Sequence, residues 1–197
     1  MNVNSTLTAL RSTAGAVLGR VDGLFNVQGA CYRGVLVIDP EAVTPGSTEL
    51  LQPGQRREAL VRISNPGGGT QAIRSVSVKL PDVYGPGRDQ DFLLASSGDG
   101  APLHHVTLPV TETGPTLYSS LWLYLAGLTP VLFGLQAEDG ELSPGGVTSF
   151  TISPPVGKFR SIGTLSVSDQ MHEGDEPVFS GRNSGGNIRP LPPVSFY

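Results

Sequence analysis

Cysteine and long apolar runs are scarce in this sequence. Cys31 is the only cysteine among 197 residues, so the chain cannot form an internal disulfide. A single thiol is typical of proteins that stay in a reducing compartment. No stretch reaches the roughly 18 to 20 apolar residues of a transmembrane helix. The N-terminus differs from a signal peptide, because Arg11, Arg20 and Asp22 interrupt its apolar positions. These absences predict a cytoplasmic protein without a membrane partner.

Positive charge is also scarce. The formal net charge is −4, and the longest basic cluster is the pair Arg56 and Arg57. Two adjacent arginines are too few to follow a phosphate backbone. The sequence therefore predicts that nucleic acid is not a partner.

Several catalytic and metal-binding motifs are missing. The glycine run Gly67–Gly69 lacks the lysine of a phosphate-binding loop, and no Gly-x-Ser-x-Gly elbow occurs. His104 and His105 are adjacent, so on a strand they would point to opposite faces. His172 lies in an acidic segment with Glu173. None of these histidines has the spacing that is typical of a metal site.

Glycine and proline are abundant, at 26 and 17 residues, and they fall between apolar runs. Such punctuation is typical of short strands joined by tight turns. Nine segments are predicted strands: Arg33–Ile38, Ala59–Ser64, Ile73–Leu80, Asp91–Ser96, His104–Val110, Leu121–Leu125, Val131–Gln136, Val147–Ser153 and Arg160–Ser168. Leu121–Leu125 has a short helix as its alternative, but Trp122 and Tyr124 favour a strand. This number and spacing predict a mainly β sandwich or barrel.

The clearest alternation lies in the strand Ile73–Leu80. We predict that one set of side chains faces the core and the other set faces a wetter surface. The predicted core set is Val76, Val78 and Leu80, and the opposite set is Ser75, Ser77 and Lys79.

The two ends of the chain have different patterns from the middle. Residues 5–25 have apolar positions at spacings of three and four, which predicts an amphipathic helix packed on the domain, with a dimerising arm as the alternative. From residue 169 the composition becomes acidic and then rich in Gly, Asn and Pro, which predicts an irregular tail. The predicted organisation is a helix and linker (1–30), a β domain (31–168) and a tail (169–197).

Four blocks carry a resemblance to a known family. Cys31–Val35 is similar to a His-Ala-Lys/Arg-Gly segment, and Val61–Asn65 to Val-Arg-Phe-Ser. Ile73–Leu80 is similar to Pro-Arg-Gly-Phe-Ala-Val-Lys-Phe, and Asp91–Leu94 to Asp-Leu-Val. In their order and spacing these blocks resemble the catalase superfamily, and more closely its short, actinobacterial-type members. The resemblance implies an antiparallel catalase-like β-barrel that handles peroxide as a heme-dependent oxidoreductase.

The resemblance also assigns site positions. In the family a histidine and an asparagine act on peroxide, arginines pair with the heme propionates, and a tyrosinate binds iron. Here Cys31 stands at the histidine position and Ser96 near the asparagine position, so these are the catalytic candidates. Arg62 and Arg74 match the arginines and are the cofactor-binding candidates, with a salt bridge or surface charge as the alternative. Tyr197 lies several residues too early for the tyrosinate, so the iron ligand is unknown.

These departures predict a catalase-like domain with weak or no catalase activity. A thiol, with an ordinary pKa near 8.5, cannot shuttle protons near neutrality as an imidazole does. Cys31 has a buried structural role as its alternative, and Trp122, Tyr118 and Tyr124 are core residues or the lining of an apolar pocket. Three other functions stay open: a barrel that carries a small apolar ligand, a heme peroxidase or peroxygenase with another iron ligand, and a structural protein. A homo-oligomer is also left open.

Overall fold

The structure, a computed structural model, describes Phe25 and residues 29–64, 73–110, 115–138 and 142–191. These ranges contain ten strands and a 3-10 helix, Leu103–His105. The strands are β1 Gly29–Ile38, β2 Arg56–Ser64, β3 Ser75–Leu80, β4 Gln90–Ser97, β5 Thr116–Ser119, β6 Tyr124–Ala126, β7 Thr129–Ala137, β8 Val147–Ser153, β9 Arg160–Gln170 and β10 Ile188–Pro190. None of the helical residues in these ranges belongs to a helix long and apolar enough to cross a membrane.

Eight of the strands close into an antiparallel barrel. The order is β1-β2-β3-β4-β5-β7-β8-β9, and β9 pairs again with β1. Strand β6 follows β5 along the same edge of β7, and β10 pairs with β6 outside the barrel. Consecutive strands are therefore neighbours, as in an up-and-down barrel, and closure removes the free edges. The predicted mainly β barrel is confirmed.

Glycines allow close approach where the barrel closes between β1 and β9. A Cβ on Gly163 would lie 2.2 Å from the carbonyl oxygen of Val37, and one on Gly34 would lie 2.5 Å from that of Ser166. No side chain fits at such distances, so glycine is required at both positions.

The barrel interior is filled with the chain's own side chains. The Phe92 ring centroid lies 4.7 Å from that of Phe133, and Phe133 stacks on Phe150 at 5.9 Å. Tyr124 packs edge-on against Phe133, and Tyr118 is also buried. Each such side chain contributes roughly 1.5–3 kcal/mol by leaving water. An eight-stranded barrel is just wide enough for a side-chain core of this kind.

The prediction for strand β3 is correct for its core face and wrong for its opposite face. Val76, Val78 and Leu80 lie in the core as predicted. Ser75, Ser77 and Lys79 are 6%, 2% and 6% exposed, so their face is buried as well. The prediction of a wetter face is wrong, because residues from the C-terminal segment cover it.

Other sequence predictions need local correction. The strand predicted at His104–Val110 is wrong: Leu103–His105 is a 3-10 helix, and the two histidine rings lie together at 4.3 Å. The strand predicted from Leu121 begins only at Tyr124. The tail predicted as irregular contains β10. Of the helix predicted at 5–25, only Phe25 lies within the described residues, where its ring meets Trp122 edge-on at 5.7 Å.

Candidate functional site

A segment that follows β9 crosses the outer face of β1 to β4. We name residues 171–187 the strap. At its start, the Met171 N–H donates to the Cys31 carbonyl oxygen at 2.8 Å. Farther along, the Ser180 N–H donates to Asp91 Oδ2 at 2.7 Å, and the Asn183 carbonyl accepts from the Asp91 N–H at 2.9 Å. The strap therefore contacts both β1 and β4. We name the outer face of β1 to β4 the covered wall.

A buried ion pair lies at the centre of the covered wall. Val78 and Phe92 are Cα partners in the core, so their neighbours Lys79 and Asp91 point outward from the barrel. Lys79 Nζ lies 2.9 Å from Asp91 Oδ1, and Asp91 is fully buried. Lys79 also contacts Asp89 at 2.9 Å. Removing one partner of a buried pair costs about 3–5 kcal/mol, because the other charge is then left buried without compensation.

The strap completes the environment of the Asp91 carboxylate. Burial raises the pKa of Asp91, and hydrogen bonds from the Ser180 N–H, Lys79 and the Asn183 side chain oppose that increase. The pKa of Asp89 is lowered, because the Asp82 N–H and Lys79 outweigh the effect of its partial burial. Asp91 thus accepts hydrogen bonds from the wall and from the strap at once, which ties the two together.

Arg62 and Cys31 lie farther along the same face. They are directly opposite each other on β2 and β1. The Phe179 ring of the strap packs 4.8 Å from the Arg62 guanidinium carbon, and the Arg62 side chain donates to the Phe25 carbonyl oxygen. Burial lowers the pKa of Arg62. It raises the pKa of the Cys31 thiol, Glu176 raises it further, and Arg62 opposes both. A thiol with a raised pKa is a poor nucleophile and a poor base near neutrality.

Ser96 and Arg74 form a separate pair that is held by the backbone. The Arg74 N–H donates to Ser96 Oγ at 3.1 Å, and the Ser96 N–H donates to the Arg74 carbonyl at 2.9 Å. Ser96 Oγ in turn donates to the Leu108 carbonyl at 2.6 Å. The serine hydroxyl is therefore engaged in holding chain segments together.

The structure does not bring the two catalytic candidates together. Across the sheet, Cys31 is level with Arg62, Ser77 and Leu93. Ser96 lies three residues beyond Leu93 on β4, and strand alternation places its side chain on the opposite face. The structure thus pairs Cys31 with Arg62 and Ser96 with Arg74, but keeps the pairs apart.

The covered wall does not fit a heme in this conformation. A heme beside Cys31 with its propionates on Arg62 needs the space that the strap fills, and Phe179 already packs on the Arg62 guanidinium. The sequence assigns no iron ligand, and Tyr197, which lies too early for the family's tyrosinate, is outside the described residues. Among the described residues, no group of three or more His, Cys, Asp or Glu side chains could hold a metal ion.

Sequence reasoning missed the ion pair and its cover. Lys79 and Asp91 occupy the polar sides of two strands joined by a hairpin, and opposite charges on neighbouring strands were a usable signal. Phe179 and Asn183 carried no such signal, because the strap has no periodic pattern.

Comparison with known proteins adds no assignment. No protein-family model matches the chain, and no curated protein matches it. The candidate function therefore rests on the geometry of the wall and on the resemblance of the sequence blocks.

Proposed function

We propose that this chain is a catalase-like barrel domain with little or no peroxide-disproportionating activity, which serves as a non-catalytic scaffold. The observation that carries the proposal is the seating of the strap on the wall that holds Cys31 and Arg62. Met171 bonds to the backbone of Cys31, and Phe179 packs on Arg62. The face that the resemblance assigns to heme is thereby occupied by the chain itself.

The chemistry of the candidate residues supports the same proposal. Peroxide cleavage needs a base that takes up a proton and returns it, typically worth about 10²–10⁴-fold in rate. Burial raises the pKa of Cys31, so its thiol is protonated at neutral pH and supplies no such base. Ser96 bonds to the Leu108 carbonyl, away from Cys31. The two candidates that the resemblance assigns, Cys31 and Ser96, therefore do not form a pair that could position and cleave peroxide.

The barrel interior gives no support to the alternative of an apolar-ligand carrier. Phe92, Phe133, Phe150 and Tyr124 contact one another across the interior. A carrier of the same strand number keeps such a volume open for its ligand. We therefore favour the scaffold over the carrier.

Hemin titration of the purified full chain tests the proposal. We expect no saturable 1:1 Soret band for the unmodified protein and only slight oxygen evolution from hydrogen peroxide. Cys31→His restores the imidazole that the resemblance places there, and we expect it to gain nothing while the strap stays closed. A stoichiometric Soret band with fast turnover by the unmodified protein would contradict the proposal and favour a heme enzyme.

A further inference from the structure

The strap consists of two parts that are held very differently. The second part, residues 180–187, is anchored at many points, and Asp91 accepts hydrogen bonds from both Ser180 and Asn183. A Cβ on Gly186 would lie 2.1 Å from the Tyr84 ring, so this stretch packs tightly. Asn187 Nδ2 donates to the Ser47 carbonyl at 2.7 Å, and β10 follows directly. We name this part the anchor.

The first part, residues 171–179, rests lightly on the wall. Residues 172–176 are exposed, and Val178 is 83% exposed. It is tied to the barrel by the Met171–Cys31 backbone bond and by the Phe179 ring, which lies 4.8 Å from the Arg62 guanidinium carbon and 6.0 Å from Lys79 Nζ. The exposed Glu176 adds an electrostatic attraction to Arg62. We name this part the flap.

We propose that the flap opens while the anchor stays seated, with Phe179 as the latch, and that opening exposes Cys31 and Arg62 to solvent. Segments with few buried contacts open at far lower free energy than the whole domain. The flap is such a segment, whereas the anchor is tied to the buried Asp91. The strap is therefore a gate over this wall: the buried Cys31 becomes accessible only in the open state, and the half-buried Arg62 loses its cover there. This inference concerns access alone and is independent of the scaffold proposal and of heme.

Cys31 is a native reporter for this opening because it is the only cysteine. The rate at which a thiol reagent labels the full chain in native buffer measures how often Cys31 becomes accessible. Phe179→Ala removes the latch, and Val178→Ala is its matched control, since Val178 lies beside Phe179 and is exposed. We expect about tenfold faster labelling in Phe179→Ala, the equivalent of a lost contact of about 1.4 kcal/mol. Labelling of Val178→Ala should stay within about twofold of the unmodified rate by the same relation.

The dependence of labelling on urea separates flap opening from unfolding. Opening of a few residues exposes little surface, so the labelling rate should change with urea much less steeply than global unfolding followed by circular dichroism. Phe179→Leu keeps an apolar side chain without the aromatic ring, and it should lie between the unmodified chain and Phe179→Ala. Equal labelling of all variants would overturn the proposal. A faster rate that carries the full urea slope of unfolding would overturn it as well.

Discussion

Strands β3 and β9 belong to one closed sheet, yet their outward polar residues lie in different surroundings. On β3, Ser77 and Lys79 are almost fully buried. On β9, Thr164 and Ser166 are half-buried, and Ser168 is exposed. Both strands send alternate apolar residues into the same core. The difference therefore comes from the strap, which covers one wall and leaves the other in contact with solvent.

A charged side chain placed inside the barrel should destabilise the domain from either wall, because β3 and β9 share one core. We expect Val78→Asp on β3 and Leu165→Asp on β9 each to unfold the domain. An unpaired buried charge costs several kcal/mol after relaxation, against about 5–15 kcal/mol for the stability of a whole domain. Circular dichroism melting checks this, and an unchanged Tm in either variant would contradict the assigned strand faces.

Removing a charged side chain from the outer face should lower the free energy of unfolding only where the strap covers that side chain. Lys79→Ala leaves Asp91 buried without its cation, and we expect a loss of about 3–5 kcal/mol in the free energy of unfolding. Arg33→Ala on the exposed part of β1 is the control, with an expected change within about 0.5 kcal/mol. The double variant Lys79→Met with Asp91→Leu should regain only part of the loss, because it also removes the acceptor of the Ser180 and Asn183 hydrogen bonds. Urea denaturation measures all three, and equal effects at Lys79 and the exposed Arg33 would contradict the assignment of the large loss to burial of the ion pair under the strap.

Removing one hydrogen bond of the anchor should have a smaller effect on stability. Asn183→Ala removes the amide that donates to Asp91 Oδ2 at 3.0 Å. We expect a loss of about 1.5–3 kcal/mol, the range for hydrogen bonds to charged groups. Thermal denaturation measures the loss. A result no larger than that of Val178→Ala would mean that this bond contributes nothing to seating the strap.

The smallest expected effect concerns His104, a buried residue outside the strap. His104 is fully buried, and burial, followed by the neighbouring His105, lowers its pKa, while Asp99 and the Pro155 backbone oppose the decrease. Below the ordinary histidine pKa of about 6.5, the unfolded chain binds a proton that the folded chain does not. Stability should therefore fall as pH falls below about 6.5, by at most about 1.4 kcal/mol per pH unit.

His104→Leu is the matched variant for this pH dependence. It should flatten the decline in urea-midpoint stability between pH 6.5 and 5.5, a range set by the ordinary pKa of about 6.5. The flattening would assign the decline to His104, because every other titratable group remains in the variant. An identical pH profile in both proteins would contradict the assignment.

The fold was predictable where alternation is regular and bounded by turn residues. The predicted bounds of Val147–Ser153 match β8, since Gly146 and Pro154 delimit a clear pattern. Strand β5 was missed, because Thr116–Ser119 has only four residues and all of them are buried. A short strand buried on both faces gives no period-two signal.

The candidate site was predictable only within neighbouring strands. Lys79 and Asp91 lie across one hairpin, so their contact follows from local pairing. Ser180 and Asp91 are 89 residues apart, and the Gly- and Asn-rich strap has no pattern that indicates where it packs. The juxtaposition of Cys31 and Arg62 depends on the register of β1 with β2, which a sequence pattern does not fix.

Amide hydrogen exchange at Ser180, followed by NMR, tests the central claim most directly. This N–H belongs to no strand, and its partner is the buried carboxylate of Asp91 at 2.7 Å. With the strap seated on the wall, we expect the Ser180 amide to exchange at least about 100-fold more slowly than an unstructured amide. Exchange of Ser180 at the unstructured rate, while the amides of β4 remain protected, would contradict the claim that the strap closes this wall.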